Sequence, residues 1–267
     1  MTFQELCNGI EQIAPLEYAY EWDSSGPTLY LHDEIENILV CLDVTKAVVE
    51  EAIKKGIDTI VSHHPLLFAP LASLQKDHYV DDVLIAAVQH KMNIYAAHTS
   101  YDVAPNGMNM ALANLLELQN NRYLAVEVEE NGIVYAAAGV KGELTKPFKK
   151  EAFARYVGEK LSLNALRITG EKEEIKTVAC IGGAGADFIL EAQAIGADAF
   201  ITGEVKHHQF IQTENILLIE AGHYDTEKHF VAEMQKSLQM YVHQLQYRTK
   251  VFRAEQEKRP YEDVFLS

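Results

Sequence analysis

Short apolar segments rich in β-branched residues alternate along this chain with longer amphipathic segments. Residues 37–44 (NILVCLDV) have the pattern of a buried strand. Residues 46–55 (KAVVEEAIKK) follow with helical spacing between Thr45, a predicted N-cap, and Gly56, the predicted residue after the helix end. Because this alternation recurs over most of the chain, it predicts an α/β fold.

The pattern changes near residue 120, which divides the chain into two predicted α/β domains, 1–122 and 123–267. The dipeptide Asn131-Gly132 lies between two β-rich runs and tolerates the positive φ angles of a type I′ turn, so it predicts a hairpin. The α/β alternation then returns and ends in a long predicted helix over about residues 226–244. One option for the C-terminal part of the second region is to pack back on the first domain.

The composition is that of a globular protein with a strong negative charge. Of 267 residues, 48% are hydrophobic and 23% are charged, and the formal net charge is −16. This charge disfavours nucleic-acid binding, which depends on clustered cations. Cys7, Cys41 and Cys180 are an odd count without a CxxC motif, which favours buried free thiols in a reducing compartment. With no signal-peptide pattern and no apolar run near the ~20 residues of a membrane helix, we expect a cytoplasmic protein that does not bind membranes.

Six of the 11 histidines fall within a few residues of the predicted C-terminal end of a strand. In open α/β sheets, ligands bind in the crevice beyond these strand ends. Asp102, Glu204 and Glu227 occur in the same loops, and imidazoles combined with carboxylates are the ligands of divalent-metal sites. The six histidines are His63, His64, His98, His207, His208 and His223.

Two of these groups have a structural as well as a metal-binding interpretation. Adjacent side chains of an extended strand point to opposite faces, so His63 and His64 must lie in a turn or bind two separate ions. The alternative is one core histidine and one that faces solvent. His98 and Asp102 are four residues apart in HTSYD, a predicted polar turn that an Asx-type turn would also explain.

Another group of candidate ligands follows the later predicted strands. His223 and Glu227 share one face if their segment is helical, which is a chelating geometry. Glu204, His207 and His208 either extend the site or orient its ligands through hydrogen bonds.

Residues 182–185 (GGAG) join a predicted strand to a predicted helix. Their N–H groups offer an anion nest, and a tight turn that packs the helix on the sheet is an equally good interpretation. The segment lacks the dinucleotide fingerprint and the P-loop lysine.

Four motifs follow one another along the chain with a characteristic spacing: SHHPLLF, AHTSYD, GGAGADFILEAQAIGADAFITGEVKHH and AGHYDTE. In this combination the chain resembles the dinuclear-metal family of GTP cyclohydrolase 1 type 2 homologues, also called NIF-three-like proteins. The resemblance implies two α/β domains with a pair of divalent ions in the cleft between them, and a toroidal homohexamer. It also implies five metal ligands, with Glu227 shared by both ions: His63, His64, Asp102, His223 and Glu227.

Two segments depart from the family pattern, and one family feature is missing. The family segment Trp-Asp-Asn-x-Gly-Leu reads WDSSGP at residues 22–27, and the family Gly-Asp before the later histidine pair is Gly203-Glu204. Several family members carry a large insertion between the two halves, and a chain of 267 residues has no room for it. The changes affect the pocket more than the ligands.

The leading functional hypothesis is a dinuclear metal-dependent hydrolase that acts on a small molecule, with a nucleotide as one candidate. In the reaction that the family name implies, the enzyme would open the purine ring of GTP. His98, which the five-ligand set does not need, is the candidate for proton transfer. This hypothesis requires two divalent metal ions per chain, and Zn, Fe, Mn, Ni and Mg are all candidates for their identity. The alternative is a non-catalytic metal-binding scaffold or a regulatory ring that binds a partner.

Overall fold

The computed structural model describes residues 1–211, 213 and 215–264. The chain divides into two structural units. The first comprises Met1–Tyr101 and Phe230–Lys258, and the second comprises Asp102–His229 and the described residues after Lys258. Residues 265–267, the end of the predicted second domain, lie outside the described part.

Both units combine helices and strands, as the alternating sequence pattern predicts. In chain order the helices are α1 (Phe3–Glu11), α2 (Lys46–Lys55), α3 (Tyr79–Gln89), α4 (Thr99–Asp102), α5 (Met108–Leu115), α6 (Lys150–Leu161), α7 (Ile189–Ala194), α8 (His207–Ile211), α9 (His223–Glu227) and α10 (Phe230–Gln244). The strands are β1 (Gly26–Leu29), β2 (Asn37–Cys41), β3 (Thr59–Ser62), β4 (Asn93–Ala96), β5 (Gln119–Glu130), β6 (Ile133–Lys149), β7 (Arg167–Thr169), β8 (Glu174–Cys180), β9 (Ala199–Thr202), β10 (Leu217–Glu220) and β11 (Lys250–Arg253).

The sheet of the first unit has the strand order β1-β4-β3-β2-β11. Four of its strands are parallel, and β1 pairs antiparallel with β4 at one edge. Ser62 at the end of β3 pairs with Ala96 at the end of β4, so the residues that follow both strands emerge at the same edge of the sheet. The three central strands, β2, β3 and β4, are buried on both faces, as continuous apolar sequences predict.

Local capping sets the helix ends in the first unit. Thr2 forms a capping box with Glu5 at the start of α1. The Thr45 side chain accepts a hydrogen bond from the Val48 N–H at the start of α2, and Gly56 ends that helix in the left-handed conformation, with φ of 64°. The predicted bounds of this helix are therefore confirmed.

The sheet of the second unit has the order β5-β6-β8-β9-β10-β7, with β8, β9 and β10 parallel. Strands β5 and β6 form the predicted antiparallel hairpin. Its turn residues Asn131 and Gly132 have φ angles of 52° and 78°, the positive values that a type I′ turn requires. Thr202 at the end of β9 pairs with Glu220 at the end of β10, so their following loops also share one edge.

The predicted final helix differs from the structure. The final helix is not continuous over 226–244, because Lys228 and His229 separate α9 from α10. The Lys228 ammonium donates to the Leu161 carbonyl, and the ring of His229 contacts the Met108 carbonyl, so both side chains are held within the second unit.

The three cysteines are free and buried, as predicted. Burial raises the pKa of the Cys7 thiol to about 11 and that of Cys180 to about 12, and it raises the pKa of Cys41 well above its usual range. All three thiols are therefore protonated near neutral pH and poor nucleophiles. Among the described residues, no helix combines the length and apolar character needed to span a bilayer.

Candidate metal centre

The first unit brings three histidines together at the ends of β3 and β4. One ring nitrogen from each of His63, His64 and His98 lies within 4.8 Å of the others, a grouping that could hold a metal ion. His63 is fully buried, and the other two are half-buried. The adjacent pair lies just after β3, where the chain leaves the sheet, so both rings reach the same cluster.

In each of these rings, the Nδ1 atom lies within hydrogen-bonding distance of an oxygen atom. Nδ1 of His63 lies 2.8 Å from the carbonyl oxygen of Ala97, and Nδ1 of His64 lies 2.8 Å from Oδ1 of Asp43. Nδ1 of His98 lies 2.7 Å from Oδ1 of a third residue, Asp23. Because these oxygens accept, Nδ1 is the donating nitrogen, and Nε2 is the atom that can ligate a metal.

The Asp23 carboxylate is the centre of a small polar network. It accepts hydrogen bonds from the hydroxyls of Ser25 and Thr99 at 2.5 and 2.6 Å, besides that of His98. Burial raises the pKa of Asp23, but the hydrogen bonds from His98, Ser25 and Thr99 outweigh this effect and hold the pKa well below its usual range. Asp23 is not among the site residues predicted from the sequence, and its place in the WDSSGP motif was the only sequence signal for it.

Asp43, the partner of His64, is itself held in place by the C-terminal segment. One carboxylate oxygen of Glu257 accepts the backbone N–H groups of Leu42 and Asp43 at 2.7 and 2.9 Å. The N–H of His64 donates to the Leu42 carbonyl at 2.9 Å. These hydrogen bonds hold the loop after β2 at Leu42 and at Asp43, the residue that orients His64.

The second unit places His223 and Glu227 on one face of α9, as the i, i+4 spacing predicts for a helix. His223 Nε2 lies 3.0 Å from Oε2 of Glu227, and its Nδ1 lies 2.7 Å from Oε1 of Glu204. Glu204 follows β9, and its carboxylate orients the imidazole in the way that outer carboxylates orient metal-bound histidines. The Glu227 side chain is almost completely buried, whereas Glu204 is exposed.

Glycines create the space that Glu227 occupies. A Cβ atom on Gly183 would lie 2.2 Å from Oε1 of Glu227, and the φ of this glycine is 59°. The N–H groups of Gly182 and Gly183 donate to the side chains of Asn109 and Thr226, respectively. Because these donors already have protein acceptors, the GGAG segment serves close packing rather than an anion nest.

Asp102 lies at the end of α4, a short helix in place of the predicted polar turn. Its backbone carbonyl accepts a hydrogen bond from Asn109 Nδ2 at 2.9 Å. A carboxylate oxygen of Asp102 lies within 4.8 Å of one from Glu227. His207 and His208 are instead exposed on α8, and they belong to none of the potential metal-binding groups found among the described residues.

A cavity of about 350 Å³ borders His223 within the second unit. Arg167, Arg259 and Tyr261 contribute to its lining, as does Glu204. Side-chain ion pairs hold both arginines, since Arg259 contacts Asp225 and Asp263 and Arg167 contacts Glu220. The cavity therefore offers polar groups and one aromatic ring beside a candidate ligand.

The donor atoms suit a first-row divalent ion. They are imidazole nitrogens and carboxylate oxygens without thiolates, a set that Zn, Fe, Mn and Ni share. The oriented rings of the first unit and the His223–Glu227 pair of the second fit metal binding better than isolated surface histidines would.

The fold and these groups define a class of α/β protein with strand-end histidines and carboxylates that could bind metal. The family model of DUF34/NIF3 (NGG1p interacting factor 3) matches residues 1–260. The chain therefore belongs to the DUF34/NIF3 family, which confirms the resemblance seen in its motifs.

Relatives and solved structures agree with this membership. The chain is 31% identical over 267 residues to the GTP cyclohydrolase 1 type 2 homolog of Clostridium acetobutylicum, covering 98% of each chain. It is 34% identical over 204 residues to the protein of the same name from Nostoc sp., covering 74% of this chain and 75% of that one. The structure matches a Bacillus cereus protein related to NIF3 (TM-score 0.91, 22% identity) and a Staphylococcus aureus hypothetical protein (0.90, 28%), each with 99% of both chains covered. These matches confirm the α/β fold.

Proposed function

We propose that this protein binds two divalent metal ions per chain and hydrolyses a small molecule, and that a GTP cyclohydrolase-like reaction is the first to test. The observation that carries the proposal is the orientation of the histidines. In His63, His64 and His223, Nδ1 lies against an oxygen acceptor, which is how proteins prepare imidazoles to ligate a metal through Nε2. The names of the curated relatives support the choice of substrate.

Five residues form the proposed ligand set, with Glu227 shared by both ions. Family motifs support all five, and the local geometry of each unit supports their imidazoles and carboxylates. When bound, the two ions would supply Lewis-acid polarisation of the bond to be cleaved and activation of water. The proposed ligands are His63, His64, Asp102, His223 and Glu227.

The neighbouring residues have distinct proposed roles in this chemistry. Asp43 orients His64, and Glu204 orients His223. We assign proton transfer to His98, which is outside the five-ligand set and whose Nδ1 donates to the carboxylate of Asp23. A histidine held by a buried carboxylate keeps one tautomer and one orientation while its other nitrogen exchanges a proton.

Elemental analysis of metal-loaded protein tests the metal centre. We expect two divalent ions per chain, and Glu227→Gln should empty the site most completely because it removes the shared ligand. Glu233→Gln, an exposed position on α10, is the matched control and should retain both ions. One ion or none in the wild-type protein would contradict the dinuclear proposal.

Turnover of GTP, other nucleotides, phosphoesters and amides by metal-loaded protein tests the reaction. His98→Ala should retain both ions and lower turnover by ~10²–10⁴, whereas exposed His243→Ala should change neither. Loss of metal from His98→Ala would instead make His98 a ligand. Metal binding without turnover of any substrate in the panel would favour the scaffold interpretation.

The family resemblance also supports a toroidal homohexamer in the cytoplasm as a proposal. Closed symmetric homo-oligomers are the usual form of assembly, and buried free thiols suit a reducing compartment. Light scattering should report about six times the 30.0 kDa chain mass. A monomer at micromolar concentration would contradict the ring.

A further inference from the structure

Two large aromatic side chains lie beside His98 and are mostly exposed. Trp22 is 67% exposed, and its ring centroid lies 6.2 Å from that of His98, edge-on at 77°. Phe68 is 58% exposed, and its ring centroid lies 5.6 Å from that of His98 at 86°. The imidazole therefore has an exposed aromatic neighbour from each of two separate loops.

Hydrogen bonds hold these loops to each other and to His98. Asp23, next to Trp22, accepts from His98 Nδ1, and the Ser24 hydroxyl donates to the Phe68 carbonyl at 3.3 Å. These bonds hold the backbone beside each ring, and the Tyr20 ring also packs against that of Trp22, with centroids 5.8 Å apart. Single exposed aromatic residues are ordinary, but two that contact one histidine of a candidate reaction site leave π-faces available to a ligand.

We propose that Trp22 and Phe68 bind the purine base of the substrate by stacking, beside His98. This assignment rests on the proposed function and names the residues that would recognise the base. Every purine has a π-face, and stacking on aromatic side chains favours binding without hydrogen bonds to particular base atoms. The contact of both rings with His98 would keep the bound base next to the proton-transfer group.

Trp22 is the only tryptophan of the chain, so its emission reports directly on this site. Guanosine titrated into chelator-treated, metal-free protein should quench the emission in a saturable way. Ribose 5-phosphate, which has no base, should not. Because neither measurement needs metal or turnover, the result is independent of whether the protein proves to be a metal-dependent hydrolase.

Variants separate stacking from a general effect on folding. Phe68→Ala should weaken guanosine binding roughly tenfold, as loss of one stacking partner does. Leu74→Ala removes a side chain of similar exposure, 53%, from the same loop and should leave the affinity unchanged. By calorimetry, Trp22→Phe should retain most of the binding that Trp22→Ala loses.

Three outcomes would overturn the proposal. The first is quenching by guanosine that does not saturate or that ribose 5-phosphate reproduces. The second is equal guanosine affinity in Phe68→Ala and the wild type. The third is a Trp22 that acrylamide reaches only after the protein is diluted to monomers, which would make this aromatic surface a contact between copies of the chain.

Discussion

Asp23 and His98 are 75 positions apart in the sequence, and a 2.7 Å hydrogen bond joins His98 Nδ1 to Oδ1 of Asp23. The Asp23 side chain has no solvent exposure. Both the N–H and the hydroxyl of Thr99 donate to its other oxygen. One carboxylate thus orients the imidazole and holds the start of α4.

Asp23→Asn should lower the free energy of unfolding by about 1–3 kcal/mol, because the amide NH₂ would replace an oxygen that accepts hydrogen bonds with a donor that faces other donors. Urea denaturation at neutral pH measures the change. Asp33→Asn, at an exposed position, should stay within about 0.5 kcal/mol of the wild type. Equal stability of the two variants would show that the Asp23 network contributes little.

Gly183→Ala should disrupt the position of Glu227 and lower metal affinity at least tenfold, because the new Cβ would lie 2.2 Å from the Glu227 carboxylate. Gly196→Ala is the matched control, with a φ of 73° and no atom within 4 Å of its added Cβ. It should cost only the left-handed strain, about 1–2 kcal/mol, and leave metal affinity unchanged. Calorimetric metal titration and thermal unfolding of both variants separate steric exclusion from backbone strain.

Glu257→Ala should weaken metal binding about 10–100-fold, as loss of an outer-shell contact does, because the loop that carries Asp43 loses its acceptor. The variant should also lose about 1–3 kcal/mol of stability, because the N–H groups of Leu42 and Asp43 no longer have this acceptor. Glu255→Ala, in the same segment, removes only an exposed contact with Lys55 and serves as the control. Equal metal affinity in the two variants would show that the C-terminal segment does not influence the metal centre.

Asp198→Asn should destabilise the protein at pH 7 by about 1 kcal/mol, with a deficit that shrinks in acid. Burial raises the pKa of Asp198, but hydrogen bonds from Lys172 and from the N–H groups of Thr177 and Lys176 outweigh it and lower the pKa below its ordinary value. A pKa lower in the folded than in the unfolded state means stabilisation above about pH 4, lost as the pH falls through the folded pKa.

Thermal unfolding of Asp198→Asn and wild type from pH 7 to pH 3 tests this sign. The exposed Glu171→Gln variant should show no comparable pH-dependent difference from wild type. A deficit that grew on acidification would show that the Asp198 carboxylate is not stabilised in the folded state.

Local sequence determined the elements whose signals lie within a few residues. The Thr45 and Gly56 caps placed both ends of α2, and Asn131-Gly132 placed the hairpin turn. Strand ends could be predicted in the same way, which is why the histidines that follow them were identified as one group. Such signals succeed because caps and turns depend on the φ, ψ and hydrogen bonds of adjacent residues.

Tertiary structure decided which distant groups meet. No local pattern pairs Asp23 with His98, connects Glu257 to the N–H of Asp43 214 positions earlier, or adds β11 to β2 in the first sheet. Tertiary structure also left His207 and His208 exposed and outside the group that contains His223, although all three follow predicted strands. The sequence by itself determined the fold class and the candidate ligands, whereas their partners depend on packing between segments far apart in the chain, whose side chains meet only in the folded core.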